Sequence, residues 1–384
     1  MSDQLKFLKE VVHYKLIEEL YKEGENIIYL GVDNRNDKLI AAKAILKSSL
    51  PTKDKLKNQL QILKVLKHEN IIRLKDLQKS PNYFYIITEY CNGGKLSEFL
   101  KYYKEKNKAP LNEVYIQKII RQISSGLEYI HSKNIIHRGI NLENIDINFN
   151  KFQNIVIKGK VPPKIKYSEI SLNDSFTLKI ANMEFSKDLK NETSTKTVIG
   201  NIAPDMLCNN SYNSKIDLWA LGSITYELLT GEKPFSGENS KDMLNKIKEG
   251  KYNLPSTLVA SSEIISFING LLQFYPEKRM DWPQIKTHPF LVDKVDNFHF
   301  IELKSIKNID NNTIEMNSKD CDNLLWILYQ GKNTTFKVDK MNINSNENEK
   351  KEMEKNINEN KVTNEEIKKV AEEKKINIEE EKKR

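Results

Sequence analysis

Residues 135–144 read Ile-Ile-His-Arg-Gly-Ile-Asn-Leu-Glu-Asn, an apolar run that opens into a cluster of polar side chains. Ahead of them, residues 114–132 place Ile116, Ile119, Ile120, Ile123 and Leu127 at helical spacing, which predicts a long amphipathic helix. Further upstream the period changes. Residues 26–30 and 39–45 alternate as strands around a turn at 33–37, and residues 71–77 and 83–90 add two more. Between them, Leu56, Leu60, Leu63 and Leu66 form one helical stripe over 53–67. Downstream, a polar stretch from about 149 to 176 reads as an inserted loop. Helical patterns then recur at 96–103, 214–229, 241–248, 261–273 and 282–287. A small strand-bearing part with one helix, followed by a larger helical part, predicts a bilobal α+β plan.

The 384 residues carry 61 basic and 53 acidic side chains, a formal charge of +8. Residues 337–384 hold 13 of each sign, so the excess belongs to the rest of the chain. It is too mild for a nucleic-acid stripe, and no nucleic-acid partner is expected. Cys91, Cys208 and Cys321 are far apart and odd in number, which supports neither a disulfide framework nor a zinc site. The first thirty residues lack the apolar segment of a signal peptide, and no run approaches the length of a membrane span. The expectation is a soluble, cytoplasmic protein with no membrane partner. From about residue 340 the chain is rich in Asn, Glu and Lys, a composition that predicts a disordered tail or a solvated helix.

Seven segments, in order, resemble the eukaryotic protein kinase family. Ile40-Ala41-Ala42-Lys43 is similar to the strand bearing the phosphate-binding lysine, and His68-Glu69-Asn70-Ile71 to the turn after the regulatory helix. Residues 88–94 look like the hinge, 135–144 like the catalytic loop, and Ala203-Pro204-Asp205 like the Ala-Pro-Glu motif. Asp217-Leu218-Trp219-Ala220-Leu221-Gly222 matches the Asp-x-Trp-x-x-Gly helix, and Arg279 the arginine that pairs with the acid of the Ala-Pro-Glu motif. The wording of hinge and helix is closest to the autophagy-initiating and Fused-like serine/threonine kinases. The resemblance implies a kinase small lobe over 10–90, a large lobe over 91–292, a C-terminal extension over 293–339 and a charged tail over 340–384.

Position by position, the resemblance also implies losses. The glycine-rich loop aligns with Tyr21-Lys22-Glu23-Gly24-Glu25-Asn26, where all three glycine positions are replaced, and Glu23 would repel phosphate. The helix glutamate that pairs with Lys43 is Gln59. The catalytic base position is Gly139, the lysine of that loop is Asn141, and the magnesium aspartate is Asn182 of Asn182-Met183-Glu184. Lys43 and Asn144 survive as vestiges of nucleotide binding. Asp146 puts a carboxylate where the floor of the adenine pocket is usually aliphatic, and Lys95 stands where an acid often binds ribose. Scaffold positions are retained at Leu63, Leu74, His137, Met183, Asp217, Trp219, Asp205 and Arg279.

These losses lead to the expectation of a catalytically inactive member, a pseudokinase rather than an enzyme, with no cofactor, no metal and no catalytic residue. It would act as a protein-interaction or scaffold module. Its partners would be other proteins, an active kinase or an acidic cytoskeletal filament among them. Two alternatives stand beside it. One is a weak or atypical serine/threonine kinase or nucleotide transferase. The other is a structural component of a cytoskeletal or ciliary assembly, with that location.

Overall fold

The computed structural model describes residues 7–49, 53–107, 111–152, 156, 165–170, 174–188, 203–208, 212–237, 240–250, 252, 254, 260–292, 313–316 and 335–338. Residues 189–202, most of the insert and nearly all of the extension and tail lie outside them. The chain divides into two units, Met1–Phe298 and His299–Arg384. In the second, two short strands, Thr313–Met316 and Thr335–Val338, pair in parallel.

The first unit opens with strands β1 (Lys9–Val11), β2 (Tyr14–Glu23), β3 (Asn26–Asp33) and β4 (Lys38–Leu46), followed by helix α1 (Lys53–Val65) and strands β5 (Leu74–Lys79) and β6 (Tyr83–Glu89). They form one six-stranded antiparallel sheet in the order β1-β2-β3-β4-β6-β5. The two-residue period of β4 sorts its side chains. Ile40, Ala42 and Ala44 face an outer cluster with Tyr14, Leu16 and Tyr85, which leaves Ala41, Lys43 and Ile45 on the α1 side. Ile62, Leu63 and Leu66 bury the apolar stripe of α1 and the turn after it.

The predicted strand at 71–77 begins three residues later than expected. Ile71 and Ile72 are drawn instead to the larger lobe: Ile71 bridges Ile180, and the Ile72 amide donates to the Ile180 carbonyl at 2.9 Å. These contacts hold the two lobes together at one edge of the cleft.

The larger lobe carries α2 (Leu96–Asn107), α3 (Glu113–Ser132), the short strand β7 (Ile135–Ile136), and the hairpin β8 (Ile145–Phe149) and β9 (Phe176–Ile180). Strand β10 (Lys187–Asp188) and helices α4 (Pro204–Leu207), α5 (Lys215–Thr230), α6 (Ser240–Glu249), α7 (Ser262–Leu271), α8 (Trp282–Thr287) and α9 (Pro289–Val292) follow. The predicted isoleucine stripe of α3 is fully buried, and the Asn112 side chain caps the helix by accepting from the Val114 amide at 2.9 Å. Helix α5 is buried almost all round, and Gly222 lets α7 approach: a Cβ there would stand 2.7 Å from Leu271 Cβ. The architecture is the two-lobed α+β plan expected from the sequence. Among the described residues, no helix is long and apolar enough to cross a membrane.

Arg279, 1% exposed, sits 2.7 Å from Asp205 and also donates to the carbonyls of Gln273, Lys215 and Phe274. Its guanidinium lies 5.2 Å from the Trp219 ring. Removing one partner strands a charge in a dry interior, so Arg279→Ala and Asp205→Ala are each expected to cost about 3–5 kcal/mol. Urea unfolding measures this, and a loss below about 1 kcal/mol for both would contradict it.

Candidate functional site

Between the lobes lies a cavity of about 370 Å³. Its roof is β2 and β3. The register between them shifts twice, between Leu16 and Glu18 and between Glu19 and Tyr21, and these bulges re-aim the strand. Tyr21 and Glu23 thereby join Ile28 in the cavity lining. A two-residue turn closes the hairpin, Glu23 pairing with Asn26, and Gly24 takes the left-handed conformation (φ 60°) that this turn demands. Gly24 therefore serves a tight turn.

Lys43 projects from β4 into this space, with Nζ 2.8 Å from Glu23 Oε2 and 3.5 Å from Glu184 Oε2. Gln59 is buried in the cavity wall, but the partners of the ammonium are these two carboxylates, not the α1 side chain. Lys95 Nζ stands 3.7 Å from the other Glu23 oxygen, 3.9 Å from Glu143 and 4.6 Å above the Tyr21 ring. Burial works against a charge on Glu23, yet the two ammoniums outweigh it and hold the carboxyl below its usual range. The contribution of Glu23 as an ion-pair partner was not legible in the chain, because it depends on the strand bulges.

The cavity floor is β8. Asp146 faces the opening from it, paired through its backbone with Lys95, and its carboxyl accepts no hydrogen bond among the described residues. Desolvation pushes it up to about 7; Lys95 opposes the shift, and Glu23, Glu98 and Glu89 add to it. At the back wall, the Cys91 amide makes no hydrogen bond among the described residues and is available to a ligand. Tyr167, from the inserted loop, reaches back to the mouth, where its hydroxyl donates to the Gly93 carbonyl at 3.2 Å.

The segment 135–144 is held from below. Asp217, 1% exposed, accepts from the His137 and Arg138 amides at 2.8 and 2.9 Å and from His131 Nε2 at 2.8 Å. His131 Nδ1 accepts from Trp282 Nε1, which leaves the ring proton on Nε2 for Asp217. Burial raises the cost of the Asp217 charge, but these donors outweigh it and keep the carboxyl below its usual range. His137 donates from Nε2 to the Ala181 carbonyl, and burial keeps its ring neutral. Leu63, Leu74 and Met183 pack in one apolar cluster around this point, as does Trp219 lower in the lobe.

Gly139 presents only a carbonyl, which accepts from Asn144 Nδ2 at 2.7 Å. Asn141 Oδ1 accepts from the Asn144 amide, so this side chain orders the loop. Asn182, itself left-handed at φ 58°, donates to Asn144 Oδ1 at 3.1 Å, while its own Oδ1 is buried without a partner among the described residues. The donor set here is two neutral amides already bonded to each other. Magnesium prefers anionic oxygens, so this pair of neutral amides is a poor match for it.

An acid whose folded pKa is raised contributes stability below its ordinary value near 3.8 and loses it as pH climbs through 7. Asp146→Asn is neutral throughout. The melting temperature of the parent chain relative to this variant should therefore fall between pH 5 and pH 8 and level off above. Parallel thermal melts across that range test it; a constant difference would reject the shift.

The sequence profile described as protein kinase domain matches residues 23–291. The chain is 31% identical over 324 residues to the serine/threonine-protein kinase ATG1 of Kluyveromyces lactis, covering 74% of this chain and 37% of that one. It is 30% identical over 312 residues to the serine/threonine-protein kinase ULK3 of Xenopus laevis, covering 79% and 60%. Against the human serine/threonine-protein kinase ULK1 it is 31% identical over 262 residues, covering 67% and 23%. The chain thus spans little more than a third of the length of the ATG1 relatives it matches. These relatives are named as kinases across most of this chain, which overturns the expectation that it is not an enzyme. That expectation rested on the combined loss of reacting side chains, whereas phosphoryl transfer depends largely on positioning and on the summed field of a site. The chain belongs to the protein kinase domain family.

Proposed function

We propose that this chain is a slow, atypical serine/threonine kinase that takes a nucleotide without a metal ion and acts on protein substrates. The observation that carries this is Lys43. Its strand register aims it into a cavity whose Cys91 amide makes no hydrogen bond among the described residues. Lys95 supplies a second positive charge in the same cavity. The hydroxyl of a substrate would lose its proton without help, since Gly139 has no side chain; general-base assistance is worth about 10²–10⁴-fold, and the rate is lowered accordingly.

Binding to other proteins is part of the same proposal. A slow transferase gains from holding its substrate, and the mild positive excess of residues 1–336 favours acidic segments.

Transfer of radiolabelled phosphate to a serine/threonine peptide library tests the reading. Activity should be low in the parent chain, lost in Lys43→Met, and raised about 100-fold or more in Gly139→Asp. ATP affinity should be unchanged by EDTA. Absence of transfer in both the parent and Gly139→Asp would reject the proposal.

A further inference from the structure

Lys43 and Lys95 are the two cationic side chains in the cavity lining, and one carboxylate spans both. Glu23 Oε2 meets Lys43 at 2.8 Å and Glu23 Oε1 meets Lys95 at 3.7 Å. This carboxylate arrives from the roof, at the last residue of β2, where the tight Gly24 turn places it. It supplies the counterion that Gln59 cannot supply from α1. It also stands where an entering phosphate would need to bind. Glu184, 3.5 Å from Lys43, adds a second negative charge at the same end. Ile28 and Ile86 are the cross-strand neighbours of Lys43, and Asp146 pairs through its backbone with Lys95. In the same lining, neither the Cys91 amide nor the Asp146 carboxyl makes a hydrogen bond among the described residues. An exocyclic amine placed over Asp146 would give it the donor it lacks.

We propose that Glu23 is the specificity-determining residue of this cavity. It is a built-in anion that occupies the phosphate end, so the resting protein selects an amine-bearing, unphosphorylated nucleoside over the corresponding triphosphate. A triphosphate enters only by displacing Glu23 from Lys43 and Lys95. The inference rests on the proposed nucleotide binding and adds its control: conditions that draw the β2–β3 hairpin away from Lys43 admit the phosphates. No bond is made or broken in this exchange; one anion replaces another on the same two ammoniums.

Isothermal titration of the full chain with adenosine and with ATP, both in EDTA, tests it in the parent and in Glu23→Gln. The parent should bind adenosine at least as tightly as ATP. Glu23→Gln should raise ATP affinity about tenfold or more and change adenosine affinity less than about twofold. Glu23→Ser, also uncharged, replaces the glutamine variant if a thermal melt shows that the latter does not fold. A parent that prefers ATP, a variant that shifts both ligands equally, or failure of both ligands to bind either protein would overturn the proposal. Because no transfer is measured, an inactive chain with the expected affinity ratio would reject the kinase reading alone. Transfer with an unchanged ratio would reject the role of Glu23 alone.

Discussion

Asp217 is a single buried carboxylate that accepts from two successive backbone amides and from a histidine ring. Such a charge is costly in an apolar interior unless its lone pairs are met, and here the donors come from two separate stretches of chain. His131 ends α3, His137 and Arg138 open the loop after β7, and Asp217 itself starts α5. Satisfying one carboxylate therefore fixes the loop against two helices. His137 passes the constraint on, through the Ala181 carbonyl, to the residue before Asn182. The floor of the cleft has its shape because this charge has no cheaper way to be buried.

On that frame, the cavity has exchanged its charges while keeping its walls. Where the family places a glutamate on the regulatory helix, this chain has a buried glutamine; where the family has a flexible glycine, it has a carboxylate. Each change alone leaves an unbalanced group, an ammonium without a counterion in one case and an acid without a cation in the other. Together they form one short ion pair between β2 and β4. Lys95 joins it from the start of α2, so the roof and the floor share the same electrostatic cluster. A half-buried cluster of this kind holds better than exposed pairs, since solvent screens it less.

Part of the candidate site could be taken from the chain directly. The apolar spacing of α3, the alternation in β4 and the order of the seven segments each depend on local period or on side-chain identity, which a sequence states outright. Lys43, Asn144, Gly139, Asn182 and Asp146 were all found that way, and the structure brings the first four around one cleft with Asp146 beneath it. The inward turn of Glu23 could not be found so. It depends on two register shifts between β2 and β3, and a shift of one residue moves a side chain to the other face. His131 and Trp282 were missed for another reason: their roles arise from a contact across 151 residues, with no local pattern to mark it.

The sequence by itself therefore determined the two-lobed plan, most of its helices and strands, and which residue types stand at the site. These follow from periodicity and residue type, which belong to short stretches of chain. Only the tertiary structure decided how these side chains meet: that Glu23 answers Lys43, that Asn182 and Asn144 bond as a pair, and that the Asp146 carboxyl meets no donor among the described residues. Those outcomes depend on distances of a few ångströms between distant segments, where Coulomb energy and hydrogen bonding change steeply, and no spacing along the chain encodes them.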